Sequence, residues 1–197
     1  YALWNLILPI SAYLALFGSG VHLATAKFLS ESSELADPQD RLRTVNAGFF
    51  LALLGSLLAL ICVALLSRFY PALYGQIPAE LASLFSFCIL CIGGSAAFQL
   101  LALLPLGVFS GHQQNASFVG PQLLSRGATL AAVWWGAALH WNLASLAQTY
   151  ALTSFLLVPL AYAVLWRAHR AYPPALFQWP DPSRLRPLPR SHERHPL

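Results

Sequence analysis

Three groups of side chains in this sequence could do chemistry: a cysteine pair, histidines set in apolar stretches, and polar residues at the ends of those stretches. Cys88 and Cys91 stand as Cys-x-x-Cys, the spacing of thiol–disulfide exchange, in which one thiolate attacks and a neighbour resolves the mixed disulfide. A relay of that kind needs a second, exposed pair, and the chain has only Cys62 besides. Cysteine is also a good small apolar residue for packed helices, and a single Cys-x-x-Cys says little outside its context.

The histidines are tested against haem b, which needs two axial imidazoles at one depth on facing helices. His22 falls near the inner end of the first apolar stretch and His140 near the outer end of the fourth, while His112 and His169 lie at or beyond the inner boundary. No two embedded histidines share a level, so haem is not expected, and His22 is read as hydrogen-bonded within a bundle. An inner-side pair of His22 with His112 or His169 would need a loop residue to reach in.

Grouped by depth, the outer ends bring Arg68, Tyr70, His140 and Asn142 together, with Gln148 and Tyr150 beside them. Such a pocket could hydrogen-bond a quinone head group, with His140 as the proton acceptor. The competing partners are water and lipid head groups at the interface. No catalytic set appears: there is no phosphate-binding Gly loop, no His-Glu-x-x-His and no Ser/His/Asp set with an orienting acid. No metal site is assigned. The apolar interior holds no Asp or Glu, the usual carboxylate of ion-coupled transport. Asn115-Ala116-Ser117 matches a glycosylation sequon but falls in a loop expected inside.

These residues are carried by apolar helices. Hydrophobic residues are 57% of the chain and charged residues 9%, with mean hydropathy +0.60, against about 25% charged in ordinary globular chains. A chain of 197 residues cannot hide that much apolar surface in one aqueous core. The fold class is therefore an all-α integral membrane protein. Its cations imply topology rather than nucleic-acid binding: ten of eleven are Arg, spread over flanking loops and a tail. No Met occurs, even at position 1, so a segment before Tyr1 is expected.

The spans are read as 4–26, 45–67, 81–109, 127–144 and 149–166, forming one bundle over 1–170. Gly127 to Arg170 has no Asp, Glu or Lys; as one helix it would run roughly 65 Å, about twice the ~30 Å hydrocarbon core. It must hold two spans, turning near Asn142–Gln148. Ser110 to Arg126 reads as a loop. Pro105 and the Gly93–Gly94 pair mark a kink in the third span, and Pro159 frees the carbonyl of Phe155 in the fifth. Residues 171–197, rich in Pro and Arg, read as an extended tail on the cytoplasmic side.

Cation counting orients the bundle. With five spans one side collects Lys27, Arg41, Arg43, Arg126, Arg167, Arg170 and the four tail arginines, and the other only Arg68. The positive-inside rule then puts the N-terminus outside and the C-terminus inside. Four spans would erase the asymmetry.

Two family resemblances bear on function. Phe87-Cys88-Ile89-Leu90-Cys91-Ile92 resembles the active-site run of the vitamin K epoxide reductase family, which implies quinone-linked disulfide chemistry. Over about residues 5–110 the chain resembles the membrane anchors of the polysulfide reductase and dimethyl sulfoxide reductase families. The matching runs are Leu8-Pro9-Ile10-Ser11-Ala12-Tyr13-Leu14 with Gly18-Ser19-Gly20, and Ser67-Arg68-Phe69-Tyr70-Pro71. Those anchors usually have eight or more spans, and the Gly-Arg-Pro-like end of their second span is not intact here. That resemblance implies a quinol contact at Arg68 and docking to iron–sulfur and molybdenum subunits.

The expected function is a non-catalytic anchor or accessory subunit of a respiratory or photosynthetic electron-transfer complex. It would sit in a bacterial inner membrane or an organelle inner or thylakoid-type membrane, with membrane subunits, lipids and quinone as partners. The alternatives are a stand-alone membrane enzyme or transporter, including a thiol-redox protein using Cys88 and Cys91, and an assembly scaffold.

Overall fold

A computed structural model of the protein describes residues 13, 20–31, 38–73, 79–170 and 172. The described residues are helices joined by short turns, with no strand among them. In chain order these are α1 (20–31), α2 (Pro38–Leu73), α3 (Ala79–Gln99), a 3-10 turn (Leu100–Ala102), α4 (Leu103–Gly111), α5 (Asn115–Ala138), α6 (Leu143–Phe155) and α7 (Leu157–Ala168). Three stretches are long and apolar enough to cross a membrane: Gln39–Phe69, Leu81–Gly111 and Leu143–Ala168.

The long helix α2 turns its small residues inward and most of its leucines outward. On α2 the buried face is Ala52, Ser56, Ala59, Val63 and Ser67, while Leu51, Leu54, Leu57, Leu58 and Leu65 are exposed. Small residues inside let backbones approach, and leucine outside matches lipid. Three of the buried hydroxyls are satisfied within their own helices, while that of Ser154 has no partner among the described residues. Ser67 donates to the carbonyl of Ala64, Ser95 to that of Ile92 and Thr129 to that of Ser125, each at 2.8 Å, the back-bonding open to Ser and Thr at i−3 and i−4.

Two prolines cut two of the long helices at one level. The ring at Pro105 offers no N–H to the carbonyl of Leu101 and crowds it. The chain tightens there into the 3-10 turn between α3 and α4, and the freed carbonyl of Leu101 accepts a hydrogen bond from the Tyr162 hydroxyl at 3.1 Å. Pro159 does the same to Phe155, and α6 ends there, with Leu156 as the junction to α7. The two breaks are neighbours: Phe98 and Phe155 meet edge to face with ring centroids 4.9 Å apart.

The breaks divide the core into two layers. One holds Ala59, Val63, Phe85, Cys88, Ile92 and Ala147, with Leu143 packed against it. The other holds Leu29, Val45, Leu104, Val108, Phe109 and Leu165. In the second layer α1 lies close against α4. A Cβ at Gly107 would sit 3.0 Å from the carbonyl oxygen of His22, and one at Gly111 2.6 Å from the Leu29 Cβ. Gly107 and Gly111 are a Gly-x-x-x-Gly pair, whose missing side chains permit this approach.

Helix bounds differ from the expected spans in one region. The spans 45–67, 81–109 and 149–166 lie within α2, α3–α4 and α6–α7. The helix nearest to 127–144 is α5, which starts at Asn115 and ends at Ala138. The expected loop Ser110–Arg126 shrinks to a turn at residues 112–114, and the expected turn at Asn142–Gln148 moves to residues 139–142. Both turns close as Schellman motifs. Gln113 and His140 take left-handed φ of 57° and 55°, while Gln114 N–H donates to Phe109 and Trp141 N–H to Gly136. Pro121 lies inside α5. Most of the expected span 4–26, the side chain of Tyr70, and the tail 171–197 apart from Tyr172 fall outside the described residues.

Candidate functional site

The residue displaced furthest from its expected place is Arg126. Sequence reading puts it at a helix boundary; in the fold it is mid-helix, eleven residues after Asn115 and twelve before Ala138 in a helix of 24. At 1.5 Å per residue that is roughly 17 and 18 Å from the two ends. Gln122 and Arg126, set in its middle, are what separate α5 from the three apolar spans.

Arg126 lines a cavity of about 250 Å³ between α5 and the two broken helices. Leu100, Leu103 and Leu106 form one wall, Phe118 and Gln122 of α5 a second, and Tyr150 and Leu157 a third, with Gln99 at the mouth. The space opens at the level of the two proline breaks, with Leu100, Leu103 and Leu157 in its lining. Arg126 donates from Nη2 to the amide oxygen of Gln99 at 3.4 Å, on an exposed side. The cavity thus pairs an apolar body with donors from Arg, Gln and Tyr, the make-up of a ligand or docking site. Gln99 and Gln122 escape a reading built on helix ends; the signal that finds them is a polar residue inside an apolar run.

A second polar assembly closes the opposite layer at the α4–α5 turn. Nδ1 of His112 donates to the carbonyl of Val108 at 2.9 Å, since a carbonyl can only accept. With the proton on Nδ1, Nε2 faces the Tyr172 hydroxyl at 3.1 Å. His169 donates from Nε2 to the Gln114 amide oxygen at 3.2 Å, and the rings of His112 and His169 lie 4.6 Å apart. His22 donates to Ser110 Oγ at 3.3 Å, and Ser110 donates onward to Asn115 Oδ1 at 2.8 Å. Burial, and behind it the neighbouring imidazole of His112, holds His169 below the ordinary histidine range. Burial raises the Tyr172 phenol, against the opposing pull of Arg41. The network ties α1, α4, α5 and the chain after α7 into one clamp. His22 is bonded to Ser110, while His112 and His169 are engaged with Val108, Tyr172 and Gln114. Among the described residues no group of three or more metal-ligating side chains converges.

The residues expected to bind quinone are distributed as follows. Arg68 is exposed near the end of α2. His140 is exposed and strained in the α5–α6 turn. The Asn142 side chain caps α6, accepting from Ser145 N–H at 2.8 Å. By connectivity all three belong to one end of the bundle. Cys88 is buried among Phe85, Ile89 and Ile92, Cys91 is half-buried, Cys62 is exposed, and all three thiols are free. Comparison with family models, with curated proteins and with solved structures finds no match for this chain.

Proposed function

We propose that the protein is a non-catalytic, five-span subunit of a larger membrane complex of the energy-transducing kind, with its N-terminus outside and its C-terminus inside. The observation that supports it is Arg126. On insertion scales a cation at mid-span costs ~2.5–3.5 kcal/mol, and residues 81–180 contain no carboxylate to offset it. A bundle that keeps such a charge on an open groove is electrostatically incomplete alone. In this reading α5 crosses the bilayer beside α6 and α7, and α1 runs parallel to α4, giving an up-and-down order. With Arg126 moved into the membrane, nine cations stand inside against Arg68 outside, which keeps the orientation. Arg68, Tyr70, His140 and Asn142 stay the candidates for a quinone contact on the outer face.

The test is extraction from the native membrane in mild detergent, followed by native mass and absorption spectrum. A stoichiometric assembly carrying partner cofactors supports the reading. A monodisperse monomer sinks it. Unchanged quinol turnover in an Arg68→Ala complex would remove the quinone contact while leaving the subunit role.

A further inference from the structure

We infer that the face of α5 centred on Arg126 seats a transmembrane helix of a partner subunit that carries one carboxylate near its own middle. The inference rests on the reading of this chain as a subunit of a membrane complex, and names the chemistry of the neighbour.

Charge comes first. The guanidinium stays protonated at any physiological pH, and the bond from it to Gln99 goes to a neutral amide at 3.4 Å, whereas a charge-assisted pair closes to about 2.7–2.9 Å. The ion pairs among the described residues, Lys27–Glu31 and Arg43–Asp40, lie elsewhere. No carboxylate among the described residues pairs with Arg126, and its counter-charge is assigned to a neighbour.

Shape comes second. Val119, Leu123, Leu130 and Trp134 are 47, 67, 72 and 70% exposed, and with Arg126 they follow one another at steps of four, three, four and four residues. Steps of three and four keep these residues on one face of α5, a stripe along which a second helix could lie. The cation sits in the middle of that seam, at the edge of the cavity where a carboxylate could reach it.

Depth decides between a helix and a lipid. Arg126 lies roughly 17 Å along α5 from its nearer end, while a phospholipid head group lies about 15 Å from the midplane of a ~30 Å core. Even with the side chain snorkelling outward, a lipid phosphate would have to sink below the head-group level to meet it. An Asp or Glu halfway along a helix is delivered at that depth.

The test uses purified full-length protein in phosphatidylcholine vesicles and a synthetic Leu/Ala transmembrane peptide with a central Glu, with pairing read by energy transfer. Control peptides carry Gln at the centre, or Glu one turn from the end. The central-Glu peptide should associate about tenfold more tightly than the central-Gln peptide, a difference of 1.4 kcal/mol. Arg126→Leu should abolish that preference and Arg126→Lys should keep most of it, with helicity checked by circular dichroism. Equal association of the Glu and Gln peptides overturns the inference, as does a preference that survives Arg126→Leu. Loss of the preference when phosphatidylglycerol replaces part of the neutral lipid also overturns it, because the cation would then answer to lipid. If the native complex forms but the peptides do not discriminate, the subunit reading stands and only the carboxylate partner fails.

Discussion

Tyr162→Phe tests how the break in the α3–α4 helix is tolerated. The substitution removes one oxygen and keeps the ring, so the edge contact with Phe49 at 6.5 Å survives. What it removes is the donor to the Leu101 carbonyl, 3.1 Å away, whose usual partner, the N–H at position 105, does not exist in proline. A buried carbonyl deprived of its partner costs about 1–3 kcal/mol in water-soluble proteins. Interhelical bonds in membrane proteins average ~0.6 and reach ~1.7 kcal/mol. The half-buried hydroxyl at this site points to about 1 kcal/mol. The mechanism makes a sharper demand than the magnitude. Pro105→Ala returns an N–H to the carbonyl of Leu101, so Tyr162→Phe should cost less than half as much in that background. Reversible unfolding in mixed micelles, followed by tryptophan fluorescence on wild type, both single variants and the double, gives the coupling directly. A Tyr162→Phe cost below ~0.3 kcal/mol, or additivity of the two substitutions, would refute the assignment of Tyr162 as the proline's stand-in donor.

The other predictions use the same unfolding assay. Gly111→Ala forces a Cβ to 2.6 Å from that of Leu29 and 3.1 Å from the Ala26 carbonyl, and should destabilise by about 1–3 kcal/mol. Gly127→Ala meets nothing within 4 Å and should stabilise by about 0.5–1 kcal/mol; if both alanines behave alike, the close α1–α4 contact is wrong. Asn142→Ala removes the α6 cap and should cost about 1 kcal/mol, with Asn142→Asp close to neutral. Gln113→Gly relieves a left-handed φ of 57° and should raise stability by about 1 kcal/mol. His169 has a folded pKa below its ordinary 6.5, so the folded state resists its protonation. Its contribution is present above pH 6.5 and falls away as pH drops through the lowered value. His169→Gln should flatten the acid side of the stability profile, and an unchanged slope would place the acid response elsewhere.

Much of the architecture was legible because membrane solvation imposes a blunt pattern. Long apolar runs had to be helices, and Pro105 and Pro159 told where they would break, since a missing N–H acts on a residue four positions back whatever surrounds it; the Gly93–Gly94 pair, which keeps its N–H groups, leaves α3 unbroken. The 112–126 region was not legible for the opposite reason. His112, Gln113, Gln114, Asn115, Gly120 and Pro121 all favour turns locally, and together they imitate a loop. Only the Schellman closure around Gln113 uses that preference; from Asn115 onward the helix is held by packing on α4, α6 and α7, which no local propensity reports. Arg126 was misplaced by the same rule that orients the other cations, that charge marks a boundary. The Gly107–Gly111 spacing was open to view, but its meaning depends on α1 arriving opposite, and that is settled by three dimensions.

The two neighbouring helix breaks have a mechanical consequence. A helix resists bending through its ladder of backbone bonds, and here both broken helices lose rungs at the same height, between Leu100 and Leu157. Bending stiffness is lowest in that plane, which divides the layer around Val63 and Phe85 from the layer around Val108 and Leu165. The hydroxyl of Tyr162 is a pin across it, linking α7 to the 3-10 turn. α2 runs unbroken through both layers, with Val45 in one and Val63 in the other, so it is the spine against which the two broken helices would bend, and the cavity at Arg126 would widen or narrow as they do. A neighbour seated there would act as a wedge in a hinge, setting the angle between the two halves.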